Sequence, residues 1–159
     1  MQSVSPSVVA VNPMQMERFL ATVKLLRDLG GDPLEEEQLE ALRSLLVDAS
    51  LGQAWLVELG LGNIGYAVAS FMQDIEAGGR IALVTNIQVL AEYASVELFR
   101  LIIAGIERDL SAYAIKAVGT ALFEPQKELM QVFAEQGFLT DCGFFTKKTI
   151  SSNWKIPGL

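Results

Sequence analysis

Histidine is absent from this sequence of 159 residues and cysteine occurs once, as Cys142, which closes two large classes of catalysis. Histidine is the side chain best suited to moving protons near neutral pH, so neither a serine–histidine nor a cysteine–histidine pair can be assembled. A lone cysteine makes no intrachain disulfide and no thiolate metal cluster. In Asp141-Cys142-Gly143-Phe144 it reads as a small packing residue, with no basic neighbour before Lys147 to activate it. The densest acidic run, Glu35-Glu36-Glu37, follows Asp32-Pro33 and reads as a helix start, where the dipole favours negative charge, rather than as a metal site. No residue is assigned as catalytic and none as a metal ligand. Tyr66, Glu92, Tyr93 and Asp141, taken by themselves, read as surface or packing residues.

The net charge of -7 argues against a nucleic-acid partner, because an acidic domain repels a phosphate backbone. With 51% hydrophobic and 19% charged residues the chain falls among compact globular proteins. Its length suits one domain, expected over residues 1–150 with a tail at 151–159, and a domain of that size buries roughly 68–70% of its unfolded surface. Met1-Gln2-Ser3-Val4-Ser5-Pro6 has neither the basic region nor the apolar core of a signal peptide. No uncharged apolar stretch reaches the ~18 residues of a membrane helix. The expectation is a cytoplasmic protein with no membrane partner.

These residues must be positioned by an alternation of strands and helices. Ser7 to Val11 reads as a short strand, ended by Asn12-Pro13, a helix cap followed by a helix-starting proline. Met16, Phe19, Leu20, Val23 and Leu26 recur at helical spacing up to Gly30-Gly31. Asp32-Pro33-Leu34-Glu35 is expected to open a second helix, with Asp32 as cap, Pro33 as helix-starting proline and Glu35 as capping-box acid, carrying Leu39, Leu42, Leu45 and Leu46. From Ala54 the period falls to two, and segments 54–59, 64–73 and 80–90 read as an antiparallel meander. A helix with Val96, Phe99, Ile102, Ile103, Ile106 and Leu110 inward follows, then a strand over 114–120. A helix opening at Pro125 and carrying Leu129, Val132 and Phe133 precedes strands at 138–139 and 144–150.

That order, with three local passages, resembles the GNAT superfamily of acyl-CoA-dependent N-acetyltransferases. Val89-Leu90-Ala91-Glu92-Tyr93 is similar to the family's "V-x-P-E-Y" passage. Arg100 with Leu101-Ile102-Ile103 falls where the family reads "R-A-L-L", and Val132 to Phe138 is similar to "L-Y-E-K-L-G-F". The resemblance covers about residues 8 to 150. It implies an α/β (α+β) fold with a mixed, mostly antiparallel central sheet flanked by helices, and acetyl-CoA or coenzyme A as cofactor.

Acetyl transfer needs backbone N–H groups at a helix N-terminus to hold the pyrophosphate, glycines for close approach, and a proton acceptor for the amine. The family's pyrophosphate loop, roughly "R/Q-x-x-G-x-G/A", aligns by resemblance with Ala94-Ser95-Val96-Glu97-Leu98-Phe99, so both glycines are replaced, by Glu97 and Phe99. Ser95 reads as the helix cap in their place. Where the family often carries an acid on the fourth strand stand Thr85 and Asn86, and Thr85 reads as a plain strand residue alternating with Leu83, Ile87 and Val89. The tyrosine that protonates the leaving thiolate aligns with Phe133. The cofactor-binding positions implied by resemblance are Ile87 and Val89 through their backbone, Ser95, Val96, Glu97, Leu98, Phe99 and Arg100 in the loop, and Gln126 beyond the fifth strand.

The expected function is therefore a GNAT-like domain with a degenerate acetyl-CoA loop that binds a small-molecule or protein ligand, or a second copy of itself as a homodimer. The alternative is a divergent acetyl-CoA-dependent N-acetyltransferase acting on a small amine or a protein amine. An exposed apolar face near Phe144-Phe145 or on the Ile102-Ile103 helix would favour a purely structural role.

Overall fold

The computed structural model describes residues 3–122, 125–141 and 144–148, with only the backbone described from 139 onward. Seven strands form one sheet in the order β1-β2-β3-β4-β5-β7-β6. They are β1 (Ser7–Ala10), β2 (Gly52–Leu59), β3 (Gly62–Asp74), β4 (Gly79–Val89), β5 (Ala117–Thr120), β6 (Leu139–Asp141) and β7 (Phe144–Lys148). Every neighbouring pair is antiparallel except β4 and β5, which are parallel. Parallel neighbours need a crossover, and α3 (Val96–Leu110) provides it. The expected mixed, mostly antiparallel sheet flanked by helices is the fold observed.

The helices cover both faces. On one face α3 and α4 (Lys127–Glu135) pack Phe99, Ile102, Ile106, Val132 and Phe133 against Trp55, Val57, Ala67, Ala82 and Val84. On the other, α1 (Met16–Leu29) and α2 (Glu36–Val47) pack Phe19, Leu20, Val23, Leu26 and Leu39 against Ala54, Leu56, Tyr66 and Val68. Adjacent strand residues such as Trp55 and Leu56 serve opposite cores, which is why β2 and β3 read as nearly continuous apolar runs. The Trp55 indole N–H, buried against α3, donates to Asp109 Oδ2 at 2.9 Å.

Two sequence expectations are corrected. Asp32 does not cap the second helix. Glu35 does, with Gln38 Oε1 accepting the Glu35 N–H at 2.9 Å in a capping box. Asp32 instead receives Arg27, Nη2 to Oδ2 at 2.8 Å, which closes the glycine turn after α1. Thr85 is not an ordinary member of an alternating strand. Val68 pairs with Asn86 and Ala69 with Val84, so Thr85 is the extra residue of a β-bulge. The bulge shifts the side-chain phase. Ala82 and Val84 before it and Ile87 and Val89 after it all face α3 and α4, whereas Gln88 turns to α1 and donates to the Leu26 carbonyl at 3.0 Å. Cys142, the 151–159 tail, the end of the last strand at 149–150, and the side chains of Asp141, Phe144 and Phe145 lie outside the described residues.

Candidate functional site

The site follows from where two strands part. β4 and β5 pair through Ala82↔Val118, Leu83↔Gly119 and Val84↔Thr120, and the Ala121 N–H donates to the Val84 carbonyl at 2.9 Å. There the ladder ends. The rest of β4, from the Thr85 bulge to Val89, stays paired with β3 but has no partner strand on its other edge among the described residues. The Leu90 N–H points to β3, donating to Ile64 O at 2.8 Å. Because backbone groups alternate sides along a strand, Gln88 also faces β3, and Ile87 and Val89 face the open edge. Gly65 keeps this half of β4 close to β3, since a Cβ there would stand 2.8 Å from the Gln88 carbonyl oxygen.

The open edge leads into a cleft of about 330 Å³ between the end of β4, the segment after β5 and the start of α4. Tyr66, Thr85, Ile87, Val89 and Phe99 line it, with Gln126 and Leu129 on the α4 side. A second cavity of about 340 Å³ adjoins it beneath α2, and the two share Arg27, Tyr66, Thr85 and Asn86. The Tyr66 hydroxyl donates to Gln88 Oε1 at 3.0 Å, and burial pushes its phenol above the usual range, against the neighbouring Arg27 guanidinium. Thr85 Oγ1 donates to Asn86 Oδ1 at 2.8 Å. Among the described residues the only carboxylate lining either cavity is Asp32, which is salt-bridged to Arg27.

At the helix start that aligns by resemblance with the pyrophosphate loop, one N–H group is capped by the chain itself. Ser95 is the N-cap of α3, its Oγ accepting the Leu98 N–H at 3.1 Å while its carbonyl accepts the Phe99 N–H at 3.0 Å. Glu97 is exposed in the first turn. The side chains of Ser95, Glu97 and Leu98 line a separate groove with Val4, Pro6 and Tyr93, so Tyr93 lies away from the cleft. Val96 packs at the edge of the core, and of the loop residues only Phe99, itself 1% exposed, reaches the cleft. Arg100 is engaged with Glu135 on α4. Gln126 is the N-cap residue of α4, makes no side-chain cap bond and faces the cleft, while Glu92 lies at its mouth with Gly30, Gln88 and Val89. Phe133 is fully buried, 5.0 Å from the Phe138 ring, as a core aromatic.

Arg27, Gln88 and Gln38 join the site without being among the residues expected from the sequence. Arg27 carried a readable signal, a cation in the last turn of an amphipathic helix just before a glycine pair. Gln38 reaches the α2-side cavity only because that helix starts at Glu36.

The chain as a whole resembles solved acetyltransferases. An acetyltransferase of the GNAT family from Staphylococcus aureus superposes with a TM-score of 0.66 at 10% identity, covering 91% of this chain and 99% of that one. The fold is that of the GNAT acetyltransferases. An acetyltransferase from Thermus thermophilus matches this GNAT fold with a TM-score of 0.67 at 17% identity, over 94% of this chain and all of its own, at 100%. An aminoglycoside N-acetyltransferase solved with coenzyme A matches with a TM-score of 0.64 at 17% identity, over 87% and 91% of the two chains. No family model and no curated protein matches the sequence. No helix among the described residues is long and apolar enough to cross a membrane, and no group of three or more metal-ligating side chains occurs among them.

Proposed function

We propose that this GNAT-fold domain binds a ligand in the β4–β5 cleft without catalysing acetyl transfer. The observation that carries the reading is the state of the α3 N-terminus. Ser95 takes up its Leu98 N–H and Glu97 sets a carboxylate in its first turn, where a pyrophosphate would need positive potential. The open edge at Ile87 and Val89 fits a pantetheine arm, which would add to it through main-chain hydrogen bonds alone. The helix start does not fit the diphosphate that follows that arm. Nor does the cleft lining offer a free carboxylate for the amine's proton, and the Tyr66 hydroxyl in it is already donated to Gln88. Thr85, Asn86, Gln88 and Gln126 are neutral amides or hydroxyls, Asp32 is held by Arg27, and Phe133 has no hydroxyl.

Calorimetric titration with coenzyme A and, separately, with pantetheine tests the reading. If the diphosphate gains nothing at α3, the two bind within about three-fold of each other, less than 1 kcal/mol apart. Coenzyme A binding about a hundred-fold tighter than pantetheine, a gap of about 2.7 kcal/mol, would show a working pyrophosphate site and overturn it.

A further inference from the structure

We propose that the cavity beneath α2 is a site for a small organic carboxylate with a short apolar body. This rests on reading the cleft as a ligand site and names the ligand class of its α2-side half. The case is an account of which hydrogen-bonding groups remain after the protein has used its own. Gln38 Oε1 is taken by the Glu35 N–H, so the side of that amide left for the cavity is its two-hydrogen donor end. Asn86 Oδ1 is taken by the Thr85 hydroxyl, which likewise leaves donors. Gln88 is used at both ends, its oxygen by Tyr66 and its nitrogen by the Leu26 carbonyl. Arg27 commits Nε to the Asp32 carbonyl at 2.7 Å and Nη2 to its carboxylate, which fixes the guanidinium plane, and it also hydrogen-bonds the Tyr66 hydroxyl, so about two of its five donors remain.

The cavity thus presents a positioned cation and amide donors, and no carboxylate of its own. Arg27 is already paired with Asp32, which lines the adjoining cleft, so an ammonium group entering this cavity would meet donors and no free carboxylate, whereas a carboxylate would meet the remaining charge-assisted donors. Leu34, Leu42, Leu45, Val23 and Val68 supply apolar walls for the rest of the molecule.

The test uses three probes of one shape, hexanoate, hexanamide and hexylamine, titrated calorimetrically into the whole chain at neutral pH and physiological salt. Hexanoate is expected to bind at least about ten-fold tighter than hexanamide, and hexylamine not at all. Gln38→Glu preserves the capping box, since glutamate serves that position equally, yet replaces the donor end by a carboxylate. It should weaken hexanoate about ten-fold or more while leaving the melting temperature unchanged. Arg27→Gln should abolish the preference for hexanoate over hexanamide. Tighter binding of hexylamine than hexanoate, indifference of hexanoate to Gln38→Glu, or no hexanoate binding up to about 10 mM would each overturn the assignment. Pantetheine binding reports independently on the cleft. If it binds and hexanoate does not, the carboxylate assignment alone fails. Acetyl transfer to an amine would sink the underlying reading instead.

Discussion

Arg100 on α3 and Glu135 on α4 form a two-point bridge, Nε donating to Oε2 at 2.9 Å and Nη2 to Oε1 at 3.1 Å. The guanidinium counted by resemblance among the cofactor residues is thus tied to a neighbouring helix, and a ligand phosphate at Arg100 would share it with the Glu135 carboxylate. Hydrogen bonding from Arg100, helped by Gln131, holds the Glu135 carboxyl below the usual range. A depressed folded-state value means that the pair's contribution is present above the ordinary glutamate range and fades as pH falls through the folded one. Arg100→Gln should therefore move the Glu135 titration upward toward the ordinary value, read by NMR of the side-chain carboxyl. An unmoved titration would mean that the bridge does not persist in solution.

The Ser95 cap should be measurable as stability. Ser95→Ala removes the acceptor for the Leu98 N–H and should cost about 1 kcal/mol, within the range of roughly 0.5–2 kcal/mol for such caps. Urea unfolding gives the value directly. A loss near zero would mean that water replaces the hydroxyl and that the helix start is open to other anions.

The two positions that align by resemblance with the family's loop glycines should respond differently to glycine substitution. Phe99 is almost wholly buried, so Phe99→Gly should destabilise by at least the ~3–5 kcal/mol of a Phe→Ala truncation. Glu97 is exposed, and Glu97→Gly should cost no more than about 1 kcal/mol of helix propensity. Removing its carboxylate should also strengthen coenzyme A relative to pantetheine. An unchanged ratio of the two affinities would show that Glu97 is not what excludes the diphosphate.

Tyr66 should keep its proton beyond the ordinary phenol range, because burial opposes the charged form more than Arg27 favours it. With the folded value raised, its contribution to stability holds below the unfolded phenol value and is lost as pH rises through the folded one. An ultraviolet pH titration of the protein and of Tyr66→Phe should differ by one late-ionising phenol. A difference at the ordinary phenol pH would mean that the cavity is far wetter than its lining indicates.

Much of the architecture was legible from period and punctuation. Phe19, Leu20, Val23 and Leu26 mark α1 by spacing, and Asn12-Pro13 marks where the turn into it begins. Ser95 as cap and Phe133 as core were readable because each depends on local pattern. What escaped was set by tertiary pairing. The Thr85 bulge arises where β4 meets β3, and no local residue type announces it. Asp32 has the composition of a cap, yet the salt bridge to Arg27 uses it elsewhere, and Glu35 with Gln38 supplies the box. The donor-rich character of the α2-side cavity depends on which acceptors are already engaged.

A cleft that binds without transferring leaves acetyl-CoA intact in the presence of amines. Coenzyme A release from acetyl-CoA, followed with a thiol reagent across a panel of small amines and amine-bearing peptides, measures this. The expected rate with protein is no higher than without it for every acceptor. Saturable, amine-dependent release at about 1 s⁻¹ or faster, ordinary enzyme turnover, would contradict it.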